Sequence, residues 1–248
     1  MTFRLVLGAI ALMVGVSPAR AADPDALWKI VSEKCVPDER AHGQPAPCAV
    51  VDLAKGYVVL KDIVGDTQYL VMPTAKVTGI EDPAVLAPGA PNYFADAWDE
   101  RRYTVDAAKT ALPRDSLSLA INSVYGRTQN QLHIHLDCIR PDVRDAVGRQ
   151  LAAIGDKWAP LAAPLLGHSY RAMRITGDEL KANPFLLVAD GIPGARAAMG
   201  SHTLVLMGAT FLDGTPGFVL LDDEASPATG DRGSGEELQD HSCALAHP

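Results

Sequence analysis

Gln131-Leu132-His133-Ile134-His135-Leu136-Asp137 alternates polar and apolar residues over seven positions. In a β-strand successive side chains point to opposite faces. Gln131, His133, His135 and Asp137 therefore share one face, and Leu132, Ile134 and Leu136 the other. Two imidazoles two residues apart stand side by side on such a strand. One can attack phosphorus and form a phosphoramidate. Its neighbour can donate to the leaving oxygen and later help to activate water. The preceding stretch, Asn122 to Asn130, holds a glycine turn at Gly126 and the polar side chains of Asn122, Arg127 and Thr128. Backbone and side-chain donors there can hold phosphate oxygens. The same pattern allows two other readings. One is a solvated strand face. The other is a metal site in which His133 and His135 share an ion, with Asp137 as third ligand.

Such a strand needs a sheet around it, and the rest of the chain supplies the parts. Tyr57–Lys61 and 68–72 are short β-rich runs separated by Gly65-Asp66, which reads as a hairpin closed by Pro73. Leu117–Ile121, Leu132–Cys138, 170–175, 203–207 and 217–221 read as further strands, the last two joined by Asp213-Gly214. Helices are expected after Asp23-Pro24-Asp25, over 93–109 and over 142–154. Another is expected from a capping box at Thr176-Gly-Asp-Glu179. Residues 78–92 are rich in Pro and Gly and read as a loop. The fold class is α+β, antiparallel strands with helices beside them.

The chain has 248 residues, 48% hydrophobic and 21% charged, which excludes a disordered chain or a collagen-like repeat. Its net charge of −8 argues against a nucleic-acid partner. A short positive start at Arg4, an uncharged run over 5–16 and Ala19-Arg20-Ala21 read as an export signal over residues 1–21, either cleaved or kept as a membrane anchor. Removing Arg4 and Arg20 would take the charge from −8 to −10. Export makes Cys35, Cys48, Cys138 and Cys243 read as two disulfides. Three pairings are open. Cys35 with Cys48 is the simplest, because Pro37, Gly43, Pro45 and Pro47 make a loop between them, and this leaves Cys138 with Cys243. No C-x-x-C is present, which speaks against zinc ribbons and thioredoxin-like chemistry.

Gly126-Arg127-Thr128 followed by His133-Ile134-His135 resembles the signature of the histidine-triad superfamily, and Thr67–Pro73 resembles that family's first conserved strand pair. Longer stretches are similar to one branch, the bacterial CDP-diacylglycerol pyrophosphatase family. They are Gly56–Asp62, Leu119–Ser123, Gly126–Asn130, Cys138–Val143, Gly167-His168, Asn183–Phe185 and Gln239–Cys243. The resemblance covers nearly the whole chain after residue 21, as one HIT-like domain over 22–248 with a C-terminal α+β extension. It implies cleavage of CDP-diacylglycerol to CMP and phosphatidate through a nucleotidyl-histidine, with no cofactor or metal. It casts His133 as nucleophile and His135 as acid. The alternative register, His133-His135-Asp137, would make His135 the nucleophile. The family's first histidine falls on Gln131, and another family histidine position is Lys76. The amide of Gln131 can still orient its neighbour. Asn122, Arg127, Thr128, Gln131 and Arg140 are the implied binding residues, and the positive charge that a diphosphate needs should gather near His133, His135 and Arg127.

An exported or anchored enzyme with this substrate would work at a membrane surface in the periplasm, and a homodimer is compatible with the same reading. The competing functions are a nucleotide- or metal-binding module without turnover and a hydrolase of another nucleoside diphosphate. Elsewhere, His168 reads as a capping or packing residue, and His42, His202, His241 and His247 as surface residues. Trp98 with Arg101 and Arg102 reads as a core-packed helix with a charged edge. The seven acids of 222–240 read as a solvated loop.

Overall fold

A computed structural model describes residues 23–247. The export-signal reading of residues 1–21 lies outside the described residues. All strand pairings are antiparallel, in one ten-stranded sheet. The strands are β1 (Val50–Asp52), β2 (Tyr57–Lys61), β3 (Tyr69–Pro73), β4 (Leu117–Ile121), β5 (Ile134–Ile139), β6 (Ala159–Pro160), β7 (Arg171–Thr176), β8 (His202–Thr210), β9 (Pro216–Glu224) and β10 (Gln239–Asp240). Their order is β1-β2-β3-β5-β4-β8-β9-β7-β6, and β10 pairs with β5 beyond the reach of β3. The helices are α1 (Ala26–Ile30), which runs through a π-turn at Val31–Cys35 into α2 (Val36–His42), then α3 (Tyr93–Asp99), α4 (Arg102–Ala108), α5 (Pro141–Gln150) and α6 (Pro184–Gly191). The α+β expectation holds.

The central strands are apolar on both faces because both faces are covered. On one face Val59, Val71, Ile134, Leu136, Leu119, Leu206 and Leu220 form a core with Phe94 and Trp98 of α3 and Phe185 of α6. Trp98 sits edge-on to Phe218, so the helix carrying it is core-packed as expected. Truncating Ile134 or Leu136 to Ala would cost about 2–5 kcal/mol. The opposite face is covered in two pieces. Val58, Leu60, Leu70 and Met72 pack under the α1–α2 segment. Ala120, Val205, Met207 and Val219 pack under α5.

Three expectations are corrected. The helix over 93–109 is two helices, because Glu100 turns inward to accept a hydrogen bond from Tyr57 Oη at 2.8 Å and breaks the run. The capping box at Thr176 opens no helix. A helix started there would meet Pro184 in its interior, where the ring removes an N–H and clashes. The helix instead begins at Pro184, capped by Asn183 Oδ1 accepting from Phe185 N at 3.1 Å. Finally, only part of 222–240 is solvated. Asp222 and Asp223 lie buried on β9, and Glu236 is drawn inward.

Both disulfides form as the simplest pairing predicts, Cys35–Cys48 and Cys138–Cys243. They fit a compartment outside the reducing cytoplasm. No helix of the described residues is long and apolar enough to cross a membrane.

Candidate active site

The two coverings of the second sheet face leave a seam between them, and the histidines lie in it. His135 is paired in register with Leu70 of β3, under the α1–α2 segment, and with Ala120 of β4, under α5. His133 enters one residue before β5. A cavity of about 410 Å³ opens there. Its polar lining includes His133, His135, Asn122, Thr128 and Glu236, and Lys61 and Asp62 line it as well. Its apolar wall is Leu27 and Ile30 of α1 with Ile63 and Val64 at the tip of the β2–β3 hairpin.

The two imidazoles sit edge to face, ring centroids 4.9 Å apart, and both are buried. Their surroundings set opposite tautomers. His133 Nδ1 lies 2.6 Å from the carbonyl oxygen of Gln131, which can only accept. Nδ1 therefore carries the hydrogen and Nε2 keeps its lone pair. His135 Nδ1 faces Gln68 Nε2 at 2.5 Å. Gln68 Nε2 also donates to Glu236 Oε1 at 3.2 Å, which favours this amide orientation. His135 Nδ1 therefore accepts, and its Nε2 carries the hydrogen, with no hydrogen-bond partner in the protein. One ring offers a nucleophilic nitrogen and the other an N–H donor.

Burial disfavours a positive charge on either ring. It holds His133 below the usual histidine value, against the Gln131 carbonyl that pulls it up. It holds His135 further below, with His133 and His241 adding to the effect.

A relay of polar groups braces His135 from behind. Gln68 links His135 to Glu236 Oε1, which lies 3.6 Å from His241 Nε2. His241 Nδ1 donates to Asp137 Oδ2 at 2.7 Å, and Asp137 Oδ1 accepts from Thr67 Oγ1 at 2.6 Å. That hydrogen bond raises His241, while burial pushes the Asp137 carboxyl up against the bonds from His241 and Thr67. Gly65, at φ +65°, makes the tight turn beside this tail, and a side chain there would collide with His241.

The expected residues divide. Thr128 lines the cavity. Asn122 lines it too, but its amide is engaged. Its Nδ2 donates to Glu236 Oε2 at 3.1 Å and its Oδ1 accepts from Glu236 N at 3.2 Å. Arg127 is forked onto Glu81, at 2.6 and 2.5 Å, with its side chain 7% exposed, so its charge is spent there. The positive charge expected around Arg127 is therefore absent, and Lys61, which borders the cavity, turns its Nζ to the carbonyls of Asp62 and Gly65 and the Tyr69 ring. Gln131 donates to the carbonyls of Pro73 and Ala75 and so fixes the entry to β5. Arg140, past the far end of β5, pairs with Asp142. Lys76 pairs with Asp25 over the Trp28 ring. Asp137 faces Thr67 and His241, so the three-ligand metal reading of His133, His135 and Asp137 has no support in the geometry.

Gln68, Glu236 and His241 were not anticipated. His241 and His202 were expected on the surface, yet His241 caps Asp137, and His202 is buried with Nδ1 2.7 Å from Asp222 Oδ1. A signal for His241 was present, since a Cys138–Cys243 bond sets the residue two before one cysteine beside the residue just before the other. Gly126 is required for another reason, since a Cβ there would meet the Gly233 carbonyl at 2.8 Å, where residues 231–236 lie across the turn.

A nucleophilic nitrogen and a donor N–H held side by side in a cavity are suited to transfer at a phosphorus centre. The chain belongs to the CDP-diacylglycerol pyrophosphatase family, whose model matches residues 22–247. A CDP-diacylglycerol pyrophosphatase from Yersinia pestis is 45% identical over 227 residues, which cover 91% of this chain and 86% of that protein.

Proposed function

We propose that this protein hydrolyses the diphosphate bond of CDP-diacylglycerol to CMP and phosphatidate, with His133 as nucleophile. The observation that carries the mechanism is the pair of buried imidazoles side by side, His133 Nδ1 on the Gln131 carbonyl and His135 Nδ1 on the Gln68 amide. His133 Nε2 attacks the phosphorus attached to cytidine. A P–N bond forms and the P–O bond to phosphatidate breaks. His135 Nε2–H donates a hydrogen bond to the departing phosphatidate oxygen, which leaves as a phosphate anion and needs no proton. Water then attacks the phosphorus, its proton passes to a phosphate oxygen, the P–N bond breaks and CMP leaves with His133 restored. Thr128 lines the space where phosphate oxygens would lie. Glu236 and Gln68 act through His135 by holding its ring and tautomer. The histidine-triad relationship is part of this proposal and rests on the Gly126–His135 spacing.

The apolar wall suits the lipid half of the substrate. Ile63, 99% exposed, and Val64 stand at the cavity mouth, where a bilayer surface would cover them. With the two disulfides, this supports an exported protein working at the periplasmic face of the membrane, free or held by its N-terminal segment.

The test is CMP release from CDP-diacylglycerol in mixed micelles by wild-type, His133→Ala and His135→Ala protein. Wild type turns over and both variants lose at least about 10²-fold. Binding of the lipid nucleotide without release of CMP by wild type would support a binding module instead.

A further inference from the structure

A second constellation lies away from the histidine pair, on a groove of about 950 Å³ lined by His168, Arg171, Asp223 and Asp231. His168 follows a tight turn whose residues Leu166 and Gly167 take positive φ, closed by mutual backbone hydrogen bonds between Leu165 and His168. Asp223 stands on β9 and Asp231 in the loop beyond it. His168 Nδ1 is 3.1 Å from Asp231 Oδ2 and 3.8 Å from Asp223 Oδ2, and all three atoms lie within 4.8 Å of one another. Glu237 Oε1 is 3.7 Å from the same nitrogen.

The second observation concerns what these atoms do not do. Asp223 is 4% exposed, and its Oδ2 has no hydrogen-bond partner. His168 Nδ1 is buried and makes no hydrogen bond, although carboxylate oxygens surround it. Two of the three separations from His168 Nδ1 exceed hydrogen-bond length and the third lacks hydrogen-bond alignment, so the donor atoms cluster without pairing. Leaving such groups buried and unpaired is costly. A divalent cation at that point would satisfy all of them and offset the carboxylates. Two donors bound tetrahedrally to zinc lie about 3.3 Å apart, given metal–ligand bonds near 2.0–2.2 Å. The observed separations bracket that value.

We propose that His168, Asp223 and Asp231 form a structural divalent-cation site, with zinc the preferred ion and Glu237 in reach as a fourth ligand. One imidazole with carboxylates suits zinc better than the all-oxygen shells of calcium or magnesium. The site would tie β9 and the loop after it to the 3₁₀ turn at Gly235–Leu238. That turn carries Glu236 to the histidine pair, so the cation would brace the machinery from outside the cavity.

The test uses the untagged full chain, stripped with chelator and titrated with Zn²⁺ by calorimetry, with Co²⁺ absorption as a second readout. The expected result is one equivalent bound, visible bands of a low-symmetry Co²⁺ site, a higher Tm with Zn²⁺ and slower amide exchange over 225–238. Asp231→Asn and His168→Ala should each weaken binding at least tenfold while keeping the wild-type far-ultraviolet spectrum. A His133→Ala/His135→Ala protein should keep the equivalent, which separates this site from the catalytic pair. Absence of saturable Zn²⁺ or Co²⁺ binding to the wild type would overturn the proposal. So would loss of the equivalent in the double-histidine variant. The wild-type Co²⁺ spectrum decides the matter even where a variant does not fold.

Discussion

His241 Nδ1 lies 2.7 Å from Asp137 Oδ2 although 104 residues separate them, and the Cys138–Cys243 disulfide stands directly alongside. The chain end is thus fastened to the centre of the sheet next to the histidine strand. Pairing of β10 with β5, Asp240 opposite Cys138, reinforces the same join. The relay through Glu236 to His135 depends on this fastening, and several expectations follow from it.

Removing the clip should cost both stability and turnover. The bond closes a loop with a sequence separation of 105 residues, worth about 4–5 kcal/mol in the chain-entropy description. A Cys138→Ala/Cys243→Ala protein should show that loss in urea unfolding, and its kcat should fall because His241 and Glu236 are no longer held. Unchanged kcat in a folded variant would show that the relay is unimportant.

His241→Ala takes away one partner of the buried Asp137 carboxylate and leaves Thr67 and the Cys138 amide. A loss of about 1–3 kcal/mol is expected in equilibrium unfolding. The effect should depend on pH. Because the bond raises His241, its contribution is full below about pH 6.5 and disappears as the pH rises through the raised value. The gap between wild type and His241→Ala should therefore close on the alkaline side.

His133 and His135 have the opposite dependence. Burial lowers both, so the unfolded chain binds protons that the folded chain does not. Their contribution to stability is full above about pH 6.5 and declines as the pH falls below it. The proposed mechanism uses the His133 lone pair, so the acid limb of kcat/KM should fall below the ordinary histidine value. A pH–rate profile on the free enzyme reads this directly.

How much of this could be read in advance varied with the range of the interactions. Strands β2, β4 and β5 were legible because alternation and β-branched runs are local. The histidine face was legible for the same reason. The acidic stretch 222–240 was not, because its burial is set by partners far off in the chain. Asp222 meets His202 and Arg171, and Glu236 meets Asn122 and Gln68. Arg127 looked like a phosphate ligand by type and spacing, yet Glu81, 46 residues upstream, takes its guanidinium. Local pattern identifies which residues can act, while long-range pairing decides which of them are left free to do so.

The hairpin tip should matter only for lipid. Ile63→Asp/Val64→Asp should lower activity on CDP-diacylglycerol in vesicles about tenfold or more, since charge replaces apolar surface at the bilayer. Activity on a water-soluble, short-chain analogue should change little. An equal loss on both substrates would place these residues in the chemistry or the fold instead.

The central claim is covalent chemistry at His133, and an intermediate trapped on that side chain tests it most directly. Wild-type protein mixed with CDP-diacylglycerol, quenched within milliseconds and digested under alkaline conditions that preserve phosphoramidates, should yield the peptide containing His133 with the mass of one added cytidylyl group. Fragmentation should place that group on His133. A cytidylyl group on His135, or active enzyme that shows full CMP release with His133→Ala, would contradict the account.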